Sequence, residues 1–374
     1  MTDAHSSVEE RHASYLELFL DLVFVLAITQ IAFLISHHPD AAGTGKGLLI
    51  TLLVWWQWSQ FTWAGSALDL HRTAFSRVLV LAILPVALLV AASIPDAFDG
   101  AGPWFGTAYL GVQLLVLAIH AVPAMAAAAT RAAFIRYASV VVVSPVLVFV
   151  GGLVHDEWRV GLWIAAVLAN TAGALRAAGS EWAVDPVHFA ERHSLFIIIS
   201  LGEVLVAAGA SLSGIGISAE PVVGLVAAVI VACTMWWTYF AYIPEVGERR
   251  LREAAPVQRG VIARDMYTFG HFPLVVGLVL YAVVVKHLIA HPFDVLEVED
   301  RWLLALSVAS FVGGLILMQW QAVRKVAPER VVAVGVGAGL ALGLGSVLAG
   351  AAVVALVALL YGVMQAVTLH RLRG

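Results

Sequence analysis

From residue 14 to residue 370 the sequence is a succession of apolar runs of about 20 residues, joined by short, more polar connectors. A run of that length, wound as a helix, matches the hydrocarbon core of a bilayer. Lipid offers no hydrogen bonds to a backbone, so such runs are expected to be helical. Twelve are counted: about 14–36, 46–68, 74–94, 104–127, 131–152, 159–179, 193–213, 220–243, 262–288, 301–323, 330–347 and 350–370. The last two are the least separated, because residues 331–369 carry no charge. One helix of roughly 40 residues would be about 60 Å long, so a turn is expected between Gly345 and Gly350.

Composition closes off the alternatives. The chain is 61% hydrophobic and 12% charged, with mean hydropathy +0.93. Soluble domains carry roughly 25% charge, and 374 residues cannot hide so much apolar surface in soluble cores. A soluble enzyme, a secreted disulfide scaffold and a disordered chain are thereby excluded. Net charge is −4 and gives no basic footprint for nucleic acid. The single cysteine, Cys233, allows no internal disulfide and no CxxC site. No P-loop, HExxH or metal-spaced histidine set occurs, so no enzymatic activity, cofactor or metal is expected. Residues 1–11 lack the pattern of a removable signal peptide.

The basic residues orient the helices. With twelve spans, 17 of the 21 lysines and arginines fall on the side of the N-terminus and 4 (Lys46, Arg159, Lys286, Arg301) on the other. Positive charge is retained in the cytoplasm. Both termini are therefore expected there, in a multi-pass protein of the cytoplasmic membrane. The longest connector, residues 244–261, is basic and cytoplasmic in this scheme.

Two matches share one offset. Glu10-Arg11-His12 recurs as Glu191-Arg192-His193, and Trp55-Trp56 as Trp236-Trp237, each 181 residues on. The expectation is an all-α fold of two parallel six-helix repeats, residues 1–186 and 187–374. Duplications of this kind place transport sites between their halves.

Charges inside the apolar runs are the strongest functional signal. Glu17 and Asp21 are four apart, so they share a face of the first helix. Glu203 lies near the middle of the seventh, and in the repeat alignment it falls within one residue of Asp21. Similar depths are therefore expected, with the two acids sheltered together at the seam between halves. Each intramembrane carboxylate costs about 3 kcal/mol on insertion scales, an expense met by protonation, a cation or an aqueous cavity. Proton or cation handling is one reading; an ion pair or hydrogen bond that fixes helix register is the other. Arg192 is too far along its helix to reach Glu203, so a partner must come from another helix. Arg72 is one of the arginines near a cytoplasmic end. His193 adds a polar group below Glu203. Gln57, Gln60 and Trp63 are assigned a common face of the second helix, where the amides serve mainly to join helices.

The stretch Tyr15-Leu16-Glu17-Leu18-Phe19-Leu20-Asp21-Leu22-Val23-Phe24-Val25, followed by Thr29-Gln30, resembles the N-terminal signature of the bacterial low temperature requirement A family. The stretch His188-Phe189-Ala190-Glu191-Arg192-His193-Ser194-Leu195-Phe196, followed by Leu201-Gly202-Glu203, is similar to its second signature. The resemblance runs the whole chain and implies a multi-spanning membrane protein without a settled biochemical activity. A lesser likeness, carried by Phe19-Leu20-Asp21, is to lysosomal-type potassium channels with duplicated six-helix units. Together these features lead to an expected secondary transporter of a small solute, coupled to a proton carried on Glu203 or Asp21, with Glu17 beside them as a further candidate. The alternatives are a cation channel and a non-transporting factor for cold growth or envelope homeostasis. The lipid bilayer is the expected partner, with an unidentified solute or cation, and an oligomer is compatible with the sequence.

Overall fold

The computed structural model describes residues 11–68, 70, 73–124, 135, 138–176 and 184–373. Its helices are α1 (Tyr15–His37), α2 (Ala41–Ala67), α3 (Ala74–Ser93), α4 (Gly102–Ala124), α5 (Val143–Leu153), α6 (Asp156–Arg176), α7 (Pro186–Ile215), α8 (Ala219–Phe240), α9 (Ile243–Glu253), α10 (Pro256–Ile262), α11 (Gly270–Ala290), α12 (Val298–Val323), α13 (Pro328–Leu342) and α14 (Gly350–Arg373). A π-helical segment, Ala263–Phe269, joins α10 to α11. Among the described residues, ten helices are long and apolar enough to cross a membrane. The more polar α2, rich in Trp and Gln, is not one of the ten, and the helix over Ala138–Leu153 is short. The fold is that of an all-α polytopic membrane protein.

Local chemistry sets the helix ends. Ser14 caps α1 through its hydroxyl, and Glu17 closes the capping box by accepting from the Ser14 N–H. Asp40 caps α2 through Gly43 N–H, and Asp185 caps α7 through the N–H groups of Val187 and His188. The uncharged stretch near the C-terminus does break: a short 3₁₀ turn, Leu344–Ser346, separates α13 from α14. Backbone bonds from Leu296 to Gly345 and from Gly350 to Asp294 tie that turn to the α11–α12 connector.

One expectation is corrected by α9 and α10. Residues 244–261 read as a loop because they are charged, yet most of them are helical. In α9, Ile243, Gly247 and Leu251 recur every fourth residue and are buried, while Glu245 lies in its first turn and Arg250 and Arg252 in its last. The π segment follows from the next sequence feature. Pro273 has no N–H to return to the carbonyl four residues back, at Phe269, where the wide turn ends.

The central element is α11, buried along most of its length, which packs against α12, α7 and α8 and also touches α1 and α2. Its counterpart in the expected repeat, α3, is mostly exposed and packs on α4 and α1. The tryptophan pairs differ likewise: Trp55 and Trp56 are buried, whereas Trp236 and Trp237 are exposed. Helix α1 lies against α7, with α2 and α11 beside them.

Candidate functional site along the α1–α7 seam

The register of α1 on α7 brings together two matching pairs of side chains. Glu17 and Asp21 lie one helical turn apart on α1, as do His188 and Arg192 on α7. His188 Nε2 lies 2.9 Å from Glu17 Oε1 and 3.1 Å from Oε2. A carboxylate only accepts, so Nε2 is the donor. Arg192 grips Asp21 with two nitrogens: Nη2 donates to Oδ1 at 2.8 Å and Nη1 to Oδ2. Trp58 Nε1 donates to the same Oδ1 at 3.1 Å. The guanidinium also lies over the Trp58 ring, 5.6 Å from its centroid. All of these side chains are buried.

Two further pairs continue the ladder toward the chain's N-terminus. Arg11 Nε lies 3.3 Å from Asp185, and His12 Nδ1 lies 3.2 Å from Glu191. Glu191 also accepts from the Ala13 N–H at 2.8 Å, and the Asp185 N–H donates to Ser66 Oγ at 2.9 Å. Gly65 on α2 admits the approach. A Cβ there would stand 2.4 Å from Glu17 Oε1 and 3.4 Å from the His188 ring.

Glu203 lies higher on the same seam in a different setting. Thr29 of α1 donates its hydroxyl to Oε2. The other oxygen, Oε1, is buried without a hydrogen-bond partner, and the residue is 1% exposed. Lys286 of α11, half-buried, is the cation whose charge acts on it. Asp21 and Glu203 therefore share a seam but not a depth. Asp21 and Thr29, the α1 residue that bonds Glu203, are eight residues apart on α1, roughly 12 Å at 1.5 Å per residue. The expectation of similar depth is corrected: α7 is shifted along α1, so Asp21 meets Arg192 and not the region of Glu203. Cavities of about 500 and 200 Å³ lie around Asp40 at the other end of α1 from the ladder, and neither is lined by Asp21 or Glu203.

His193 sits between the two levels in an aromatic box of Trp55, Trp58, Phe189, Tyr267 and His271, with ring centroids 4.6–6.0 Å away. Its Nδ1 donates to the Phe189 carbonyl at 2.9 Å, and Nε2 is buried without a partner. His271 is held from both sides, with Nδ1 3.1 Å from the Met266 carbonyl and Nε2 2.8 Å from the Tyr239 hydroxyl. The π segment ties α2 in: Trp55 donates to the Thr268 carbonyl and Trp63 to its hydroxyl, at 2.9 and 3.1 Å.

Glu17, Asp21 and Arg192 are thus brought together, with Glu203 on the same seam. Gln57 donates to the Tyr109 carbonyl of α4 at 3.1 Å, joining helices as its chemistry suggested. Trp63 turns instead to Phe189 and Thr268, so the common face assigned to Gln57 and Trp63 is corrected. Gln60 is half-buried on α2. Arg72 lies outside the described residues. His188 and Gly65 were not singled out as site residues; the signal for His188 was its four-residue spacing to Arg192, the same spacing as Glu17 to Asp21.

A family model described as bacterial low temperature requirement A protein (LtrA) matches residues 12–366, which contain every residue of the seam described above except Arg11. The chain belongs to the LtrA family. An LtrA-family membrane protein is thus what carries the ladder and the Glu203 level. The chain is 29% identical over 302 residues to the uncharacterized protein RA0937 of Rhizobium meliloti (strain 1021), covering 77% of this chain and 72% of that protein. No solved structure matches.

Proposed function

We propose that this LtrA-family protein is a secondary transporter of a small solute, coupled to a proton carried on Glu203. The observation that carries the reading is the one-sided satisfaction of Glu203: a buried carboxyl at the seam of the two halves, with one oxygen unpartnered. Intramembrane acids are costly and gather on ion and substrate pathways. An acid with a free oxygen can change its protonation without dismantling an ion pair. The lower ladder supports the same reading as a seal. Four side-chain pairs close the seam at the start of α1 and α7, and in this reading Asp21 and Glu17 act there as the fixed charges of that seal. In this reading residues 1–186 and 187–374 are the moving halves, both termini are cytoplasmic and the protein sits in the cytoplasmic membrane.

Purified protein in proteoliposomes with an imposed pH gradient tests the proposal against a panel of small solutes. The expected result is solute-dependent proton movement that Glu203→Gln abolishes. Flux that persists in Glu203→Gln overturns the proton-carrier role. Single-channel currents in place of coupled flux overturn transport in favour of conduction. Neither flux nor current, with altered lipid composition in a deletion strain, overturns both in favour of an envelope factor.

A further inference from the structure

The cavity of about 500 Å³ lies between the first turns of α2 and α12, far from the charge ladder. It is on the face that the arginine count assigns to the outside. One wall is a stripe along α12: Val298, Trp302 and Leu306 recur every fourth residue, each 42–55% exposed. The opposite wall is the start of α2, where a Cβ on Gly45 would meet nothing within 4 Å. Two carboxylates stand at the mouth. Asp40 uses Oδ1 to cap Gly43 at 2.7 Å, and Glu299 is exposed. Neither nearby cation lines this cavity: Lys46 lies over Phe98 and lines, with Asp40, the neighbouring cavity of about 200 Å³, and Arg301 packs over Gly345.

We propose that this cavity binds a phospholipid whose headgroup carries a primary ammonium. The charge at the mouth is complementary to a cation and repels a net anionic headgroup. An ammonium brings N–H donors for two carboxylates and a positive charge for the face of Trp302. The α12 stripe starts at the helix end, where headgroups lie, and runs toward the membrane interior, where an acyl chain continues. Tryptophan at that level is the usual interfacial anchor.

Native mass spectrometry of the detergent-solubilised full chain, titrated with dioleoyl phosphatidylethanolamine or dioleoyl phosphatidylglycerol, tests the proposal. The expected result is one retained phosphatidylethanolamine, preferred about fivefold over phosphatidylglycerol. Asp40→Asn with Glu299→Gln, which keeps a capping side chain on α2, is expected to erase the preference. Gly45→Leu fills the cavity without touching a charge, and is expected to remove the retained lipid. Should the charge variant fail to fold, Gly45→Leu decides alone. Equal retention of the two lipids, or retention of phosphatidylethanolamine in Gly45→Leu, overturns the proposal. None of these readouts depends on transport.

Discussion

Two levels of one helix seam treat buried acids in opposite ways. At the lower level Asp21 accepts from two nitrogens of Arg192 and the indole of Trp58, and the Glu17 carboxylate accepts from His188 and from the N–H and hydroxyl of Ser14. At the upper level Glu203 receives a single hydroxyl from Thr29 and keeps one oxygen unpartnered. Asp21 and Glu203 are equally hidden from solvent, each 1% exposed. Burial alone therefore does not separate the two levels; the completeness of their hydrogen bonding does. A fully paired acid is fixed in charge and resists change, because removing one partner strands the other. In the proposed reading the under-partnered acid, Glu203, is the one that gains and loses a proton, with the charge of Lys286 acting on it.

The sharpest way to break this comparison is at Arg192. Arg192→Met leaves Asp21 buried without its cation and is expected to cost about 3–5 kcal/mol, read as a large loss of thermal stability in detergent. Adding Asp21→Leu to that variant should recover most of the loss, since an apolar pair replaces the ion pair. A smaller effect is expected at Gly65. Gly65→Ala forces a methyl into the space of Glu17 Oε1 and should destabilise by about 1–3 kcal/mol. At the upper level Thr29→Val is expected to cost only about 0.6 kcal/mol. The smallest change is expected from Glu203→Gln, within about 0.5 kcal/mol of the parent by the same scale. A melting curve showing Glu203→Gln as damaging as Arg192→Met would remove the distinction between the levels.

Much of this is legible in the sequence. Apolar runs near 20 residues gave the long helices, because bilayer thickness and the 1.5 Å rise leave little freedom. The break near Gly345 was readable from length and glycine alone. Side-chain partners were less so. Spacing placed Glu17 with Asp21, since both lie on one helix, but the longitudinal shift of α7 against α1 is a packing property. That shift hands Asp21 to Arg192 and Glu203 to Thr29, and the 181-residue offset of the sequence matches could not reveal it. The helices over residues 243–262 were hidden for another reason: their charge resembles a loop until the four-residue spacing of Ile243, Gly247 and Leu251 is noticed.

The central claim is that Glu203 exchanges a proton while the Asp21–Arg192 ion pair below it stays closed. Infrared difference spectroscopy of the protein in liposomes, between acidic and alkaline pH, measures this directly. The account predicts a protonated-carboxyl stretching band that changes with pH in the parent protein and is missing from Glu203→Gln. Identical difference spectra for the parent and Glu203→Gln would contradict it.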